Sequence, residues 1–257
     1  MDINKIIPLI RQTRTFLDRS GQCPQITVKG KSNYVTDTDV AIQNFLQKEL
    51  ALLDPSIQFM AEEKPENKID FTGSVWILDP LDGTTNWIHN FKMSTISLAL
   101  VENGVPVIGI VYQPFTEELF YAEKGKGAYL NGTKIQVSPA SSPADSLIIM
   151  GTTPYYKERY ATMVMDVTKE LFLQCQDIRT LGSAALELAY VACGRAEGFY
   201  EKILCPWDFA GGSLLLTEAG GRITQWDGSP LRFDQNCSVL ADNGNLGDWM
   251  PAVLRRY

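Results

Sequence analysis

Histidine is almost missing from this chain, with His89 the only one. That scarcity argues against His-rich metal sites and Ser-His-Asp hydrolysis, so acid–base work falls to carboxylates, hydroxyls and bound cations. Cys23, Cys175, Cys193, Cys205 and Cys237 are odd in number and scattered without a CxxC pair. This speaks against a disulfide framework or a zinc site and fits a reducing compartment. No apolar run approaches the roughly 20 residues needed to span a bilayer. The first residues, MDINKIIPLIRQTRTFLDRS, alternate charge with apolar side chains and lack a signal-peptide core. A cytoplasmic protein with no membrane partner is expected. Positive charge is also short: 23 Lys and Arg face 30 Asp and Glu, for a net charge of −7. Nucleic acid is not an expected partner, because phosphate backbones are held by clustered Lys and Arg. A small phosphorylated substrate requires bound cations to reverse the local field.

What is present is an ordinary globular composition, 45% hydrophobic and 21% charged over 257 residues. That length can bury a core as one large domain or as two closely fused halves. The most informative stretch is Trp76 to Asn86, WILDPLDGTTN. Val75 to Leu78 reads as a strand buried on both faces, expected to end at Pro80, which has no N–H to give. Asp79 and Asp82 then share a tight turn with Gly83, a geometry suited to a hard cation such as Mg²⁺. Asp, Pro and Gly are equally the residues of an ordinary polar turn, so this core alone leaves both readings open.

Along the chain, residues 3–20 carry apolar side chains at helical spacing, and Gln22 to Lys31 reads as a loop or short strand. Thr36, Asp37 and Thr38 are candidate caps of a second helix running through Leu50; Asp39 then reads as a first-turn charge or as something more. Ile57 to Met60 is a strand entering Glu62-Glu63. If it neighbours the strand before Asp79, the two sets of carboxylates converge. Strands at Thr95–Val101, Val105–Tyr112, Leu119–Ala122 and Ala128–Leu130 follow, with hairpin turns at Asn103-Gly104 and Asn131-Gly132. Ser138 to Pro143 is the candidate boundary between halves at about 1–140 and 141–257 of a single domain.

The second half alternates: strand Leu147–Met150, helix Tyr156–Leu173, strand Asp177–Arg179, helix Ser183–Cys193, strand Glu197–Glu201, helix Trp207–Ala219. Strands through Ile223 and Val239 and a short helix near Trp249 complete it. Gly182-Ser183-Ala184 offers free N–H groups at a helix start, an anion acceptor or a plain cap. Asp208 opens an apolar helix, and Glu201, at a strand end, is exposed by default. Two unit charges 4 Å apart repel by about 4 kcal/mol at an effective dielectric of 20. Glu62, Asp79, Asp82, Asp208 and Asp39 therefore either stay apart or share cations.

With these residues in place, the chain resembles the inositol monophosphatase family of Mg²⁺-dependent, lithium-sensitive phosphomonoesterases. The motifs that carry the resemblance are WILDPLDGTTN at 76–86, WDFAGG at 207–212 running on to EAGG at 218–221, Glu62-Glu63, VTDTD at 35–39 and GSAA at 182–185. Together they span essentially the whole chain in the expected order. The resemblance implies an α+β layered sandwich (αβαβα), a homodimer, and two or three Mg²⁺ ions. It implies that Glu62, Asp79 and the Leu81 carbonyl hold a first ion. Asp79, Asp82 and Asp208 would hold a second, with Glu62 shared toward a third. Gly83 and Thr84 would hold the phosphate, and Thr84 with Asp39 would orient and deprotonate the attacking water. Asp82, Ala184, Glu201 and Asp208 would contact substrate hydroxyls.

There are departures: Lys64 stands where Ser or Thr is usual, Trp87 replaces a common Phe, and Asn90-Phe91-Lys92 follows His89. None removes a metal ligand, and they bear on substrate choice. His89 itself is expected in a buried or hydrogen-bonding role. The expected function is Mg²⁺-dependent hydrolysis of inositol monophosphate to inositol and phosphate. Relatives acting on fructose 1,6-bisphosphate or 3′-phosphoadenosine phosphates are the alternatives, and a catalytically silent metal- or phosphate-sensing partner protein is a further one.

Overall fold

The computed structural model describes residues 1–20, 24–30, 33–64, 66 and 68–257. The helix expected over 3–20 is two, α1 (Ile3–Gln12) and α2 (Arg14–Ser20). The break falls at Thr13, whose hydroxyl donates to the Ile10 carbonyl at 2.6 Å while its N–H reaches the same oxygen. A hydroxyl competing for a backbone acceptor interrupts the helical ladder. β1 (Ile26–Gly30) and β2 (Asn33–Thr36) form an antiparallel hairpin. Of the loop expected over 22–31, Gln22, Cys23 and Lys31 lie outside the described residues. α3 (Asp37–Leu53) follows with Thr36 as its N-cap.

The larger sheet has seven strands in sequence order: β3 (Gln58–Ala61), β4 (Ser74–Asp82), β5 (Thr95–Glu102), β6 (Val105–Gln113), β7 (Glu118–Glu123), β8 (Gly127–Leu130) and β9 (Thr133–Ile135). β3 and β4 run parallel, with Ala61 beside Leu78, and the other pairs are antiparallel. The expected convergence of Glu62 on Asp79 follows from that pairing. The short helix α4 (Thr84–Ile88) after β4 was not expected from the sequence, whereas β9 is the strand that the Asn131-Gly132 hairpin turn implies.

The smaller sheet has the order β11-β10-β12-β14-β13. Its elements are β10 (Leu147–Met150), α5 (Lys157–Phe172), β11 (Asp177–Arg179), α6 (Ala184–Ala192), β12 (Gly198–Leu204), α7 (Pro206–Glu218), β13 (Arg222–Thr224), β14 (Cys237–Asp242) and α8 (Trp249–Leu254).

Packing makes these elements five layers. Ile6, Ile42 and Leu46 of α1 and α3 meet Trp76, Leu98 and Ile110 on one face of the large sheet. Val111 and Phe120 on its other face meet α6 and α7 through Leu188, Phe209 and Leu215, which also touch Phe199 and Val239 of the small sheet. The next residues along, Tyr200 and Leu240, point the opposite way onto α5 and α8, as the two-residue period of a strand requires. The result is the αβαβα sandwich. No helix among the described residues is long and apolar enough to cross a membrane.

One strand departs from expectation where it matters. β4 does not stop at Pro80 but runs to Asp82, with Asp79 opposite Ser97 and Asp82 opposite Thr95. Three steps on β4 thus oppose two on β5, a bulge that absorbs Pro80, whose missing N–H costs no ladder bond there. The Leu81 N–H in the bulge donates instead to Asp79 Oδ1 at 2.9 Å. In an unbroken strand, residues three apart face opposite sides. The extra residue allows Asp79 and Asp82 to turn their carboxylates to one place.

α7 crosses the sheet unusually close. A Cβ on Gly109 of β6 would lie 2.5 Å from the Gly211 carbonyl, and one on Gly212 would lie 2.6 Å from Leu188 Cβ of α6. The GG pair of WDFAGG therefore lets one helix touch both the sheet and its neighbour, which fixes where its first turn and Asp208 stand. Gly109→Ala should force that contact apart and destabilise the fold by about 1–3 kcal/mol. A urea-denaturation midpoint unchanged from wild type would contradict this.

Candidate functional site

β4, α6, α7 and β12 bring their ends to a cavity of about 520 Å³ at the seam between the sheets. Ligand sites of small molecules fall in this size range, about 300–1,000 Å³. Oxygen atoms of Asp79, Asp82 and Asp208 all lie within 4.8 Å of one another. Asp79 is buried and the other two are half-buried. Glu62, half-buried at the end of β3, lines the same cavity but stands outside that trio. Its neighbour Glu63 is ion-paired with Lys29 of β1 and receives no role at the cluster. Lys64 turns away, donating to the Phe59 carbonyl at 2.8 Å.

The aspartates are held by local hydrogen bonds, two of them in the same kind of capping box. Asp82 Oδ2 accepts from Ser183 Oγ at 2.8 Å and from the Ala185 N–H at 2.7 Å. Asp208 is the third residue of α7, and its Oδ2 accepts from the Cys205 N–H at 2.7 Å in a capping box. Asp39 holds the same position in α3, accepting the Thr36 N–H at 2.8 Å through Oδ2. Its other oxygen, Oδ1, accepts from Thr84 Oγ1 at 3.2 Å. The Thr84 hydroxyl is equally 3.2 Å from the Leu81 carbonyl. The cap reading of Asp39 and Asp208 thus holds through one oxygen of each, and the other oxygen of Asp39 meets Thr84.

Gly83 and Thr84 line the cavity where α4 begins, and Gly83 takes the left-handed φ of 89° as its N-cap. Asn86 Nδ2 donates to the Leu181 carbonyl at 2.7 Å and the Met93 carbonyl at 2.8 Å, tying α4 to the turn before α6. That turn corrects one expectation. Of its three expected donors the Gly182 N–H is taken, by Glu187 Oε1 at 3.1 Å, as is the preceding Leu181 N–H at 2.7 Å, and the Ala185 N–H just past them goes to Asp82. Ala184 still lines the cavity.

Glu201 is buried rather than exposed, because β12 continues past it to Leu204 through a bulge. Its Oε1 accepts the Thr153 N–H at 2.7 Å. His89 is exposed at the end of α4, not buried, and is no part of the cavity lining. Trp87 is buried beside Phe115, with ring centroids 5.9 Å apart.

Sequence reasoning missed Glu187, Ser183 as an anchor for Asp82, the bracing role of Asn86, and the 151–156 turn. Glu187 had a signal, a carboxylate inside the otherwise apolar run AALELAYVA. The turn had none, since Gly-Thr-Thr-Pro reads as plain loop.

The electrostatics follow from the crowding. Burial first, and Glu63 next, push Glu62 up to about 8. Burial raises Asp82 to about 6 against its hydrogen bonds to Ala185 and Ser183. Burial and then the neighbouring acids hold Asp79 and Asp208 well above the usual carboxylate range. Asp39 rises to about 6, chiefly by burial. Hard carboxylate oxygens, several per small volume and short of counter-charge, fit Mg²⁺ or a similar oxygen-seeking cation. The trio with Glu62 and the Leu81 carbonyl is the set that would hold it.

Comparison with known proteins shows the family of the chain. A model of the inositol monophosphatase family matches residues 5–256. An inositol-1-monophosphatase of Rhizobium meliloti is 35% identical over 232 residues, 90% of this chain and 86% of that one. A protein of Escherichia coli K12 named Nus factor SuhB is 35% identical over 256 residues, 98% of this chain and 95% of that one. The crystal structure of the extragenic suppressor protein suhB from Bartonella henselae superposes with a TM-score of 0.91 at 32% identity, covering 99% of this chain and 98% of that one.

The raised values set a pH dependence. A carboxyl whose folded pKa exceeds its unfolded value near 4 binds more protons in the native state, so stability falls as pH rises between the two values. In chelator, Tm should fall as pH rises from about 4 to about 8, the window set by Asp82 and Glu62. Saturating Mg²⁺ should flatten or reverse that slope, because its ligands must be deprotonated. Asp79→Asn, which keeps an oxygen for the Leu81 N–H, should raise Tm in chelator and abolish the Mg²⁺-induced rise. Scanning calorimetry across pH checks both; a chelator Tm that climbs with pH would refute the charge assignment.

Proposed function

The chain belongs to the inositol monophosphatase family, and from that premise we propose that it is a Mg²⁺-dependent phosphomonoesterase hydrolysing inositol monophosphate to inositol and phosphate. The observation that carries this reading is the Thr84–Asp39 hydrogen bond standing beside the Asp79, Asp82 and Asp208 cluster. Cations held by Glu62, Asp79, Asp82, Asp208 and the Leu81 carbonyl would neutralise the phosphate and lower the pKa of the attacking water. The remaining work belongs to the chain. Gly83 and Thr84 seat the phosphate at the start of α4. Thr84 donates its proton toward Asp39 and presents an oxygen lone pair to the water, aiming it at phosphorus. Asp39, with a pKa near 6, is ionised at neutral pH and able to accept that proton. The P–O bond to the polyol breaks, and the leaving oxygen takes up a proton to give the free alcohol and inorganic phosphate. Glu201, Ala184 and the cavity edges of Asp82 and Asp208 receive the hydroxyls of the leaving group.

Glu201 supports a polyhydroxylated ring over the alternatives. A sugar bisphosphate needs a cationic clamp for its second phosphate. Among the described lining residues the basic side chain is Lys29, and it is already paired with Glu63. The name Nus factor borne by the E. coli relative supports a second reading, a partner role without turnover. Against that stands the retention of a hydroxyl–carboxylate pair at 3.2 Å, which a silent scaffold would not need.

The test is a substrate panel in Mg²⁺ and in excess chelator. Inositol 1-phosphate should be hydrolysed with higher kcat/KM than fructose 1,6-bisphosphate or adenosine 3′,5′-bisphosphate, and chelator should abolish turnover. A bisphosphate preferred by about tenfold, near 1.4 kcal/mol, would overturn the substrate, and undiminished turnover in chelator would overturn the metal dependence.

Thr84→Ala and Asp39→Asn should each lower kcat about 10²- to 10⁴-fold. Their double mutant should lose little more, since the two act as one unit. Multiplicative losses would reduce Asp39 to a helix cap.

A further inference from the structure

One wall of the cavity is unexplained by hydrolysis alone. After β10 the chain turns over the cavity through Gly151, Thr152, Thr153, Pro154, Tyr155 and Tyr156, all of which line it. This turn is built against Glu201. The Thr153 N–H holds Glu201 Oε1, and a Cβ on Gly151 would lie 2.0 Å from Glu201 Oε2, so only glycine leaves that carboxylate its place. Thr153 reaches its position at φ 49° and ψ 55°. Left-handed backbone is strained for a β-branched residue, and such outliers persist where the surroundings demand them. Pro154 then opens a single 3-10 turn, Pro154–Tyr156, that carries Tyr155 toward the mouth.

Tyr155 is 49% exposed, yet the carboxylates of Glu62, Asp208, Asp79 and Asp82 all act on its hydroxyl. Tyr155 thus lines the cavity with its side chain left partly uncovered at the opening. A tyrosine in that setting offers an apolar face and a polar tip together. Ligand sites commonly pair such a wall with a few fixed polar groups.

Taking the phosphomonoesterase reading as its basis, we propose that Tyr155 is a specificity-determining residue that selects ring-shaped polyol leaving groups. Its ring covers the carbon face of the bound ring, while Glu201, braced by the same turn, takes the ring hydroxyls. An open-chain leaving group presents no such face and gains nothing from Tyr155.

The experiment compares inositol 1-phosphate with glycerol 2-phosphate in wild type, Tyr155→Phe and Tyr155→Ala. KM and kcat are measured with Mg²⁺, and dissociation constants by calorimetry with Ca²⁺ in its place, so that the contact is read with and without turnover. Tyr155→Ala should raise KM and Kd for inositol 1-phosphate about tenfold, the scale of one lost pocket contact, with kcat and the glycerol 2-phosphate constants within about twofold. Tyr155→Phe should retain most of the discrimination.

Equal weakening of both esters, no change for either, or a Phe variant as poor as Ala would overturn the proposal. If discrimination in Kd is present and lost in Tyr155→Ala but neither ester is hydrolysed, the phosphatase reading fails, the selection of leaving groups fails with it, and Tyr155 keeps only its contact with the ring. If hydrolysis is normal and Tyr155→Ala leaves the preference intact, this one fails alone. Wild-type protein that binds neither ester overturns both.

Discussion

Like charge in a small, poorly solvated volume is the constraint around which the molecule is arranged. Asp79, Asp82 and Asp208 bring oxygens within 4.8 Å of one another, with Glu62 beside them. A pair at 4 Å already costs about 4 kcal/mol at an effective dielectric of 20. The structure meets this cost by anchoring one oxygen of each of the three aspartates and of Asp39. Asp79 takes the Leu81 N–H, Asp82 takes Ser183 Oγ and the Ala185 N–H, Asp208 takes the Cys205 N–H, and Asp39 takes the Thr36 N–H. Donors of this kind stabilise the ionised form and set its direction. What they do not supply is net positive charge, so protons or cations must complete the balance.

Holding that arrangement needs contributions from both sheets. β4 delivers Asp79 and Asp82 through a bulge, and β12 delivers Glu201 just before a bulge of its own. Bulges re-aim side chains at the cost of local pairing, and they collect beside active sites for that reason. α7 brings Asp208 in by crossing the sheet at glycine-to-glycine distance. Asn86 and the Thr95–Ser183 hydroxyl contact, 2.9 Å, then bind the first half of the chain to the second at the cavity itself. The site is therefore a seam, and its geometry reports on the packing of all the inner layers.

Much of this was legible in the sequence because periodicity and turn chemistry agree with the fold. The two Asn-Gly hairpins, the strand at Leu147–Met150 and the helix ending before Gly220 appear within a residue or two of where their patterns put them. The failures share a physical cause. Asp39 and Asp208 sit at the third position of helices, where a capping carboxylate and a site carboxylate have the same sequence appearance, and each proves to be the former through one oxygen. Pro80 reads as a strand end unless the bulge that tolerates it is known. Glu201 looks exposed because its burial depends on Gly151 and Thr153, about fifty residues away. Tertiary context of that kind leaves no local trace, whereas Glu187 did leave one, a charge among apolar neighbours.

Charge also dictates the order in which such a site can fill. The chain carries a net charge of −7, and its cavity is walled by acids. Lys29, the basic side chain among the described lining residues, is engaged by Glu63. A phosphate monoester approaching the bare cavity meets only repulsion, and the same ester approaching a cation-loaded cavity meets attraction. Cation and substrate affinities are then coupled, and by linkage the coupling is reciprocal: whatever factor the cation contributes to ester binding, the ester returns to cation binding. Protonation of Glu62 near neutrality, and of Asp82 below it, would weaken both together, because a protonated ligand set holds fewer cations and a cavity with fewer cations holds less phosphate. Burial of the acids thus does more than position them. With cations as the balancing charge, it would make ester binding conditional on the cation, and cation binding conditional on pH.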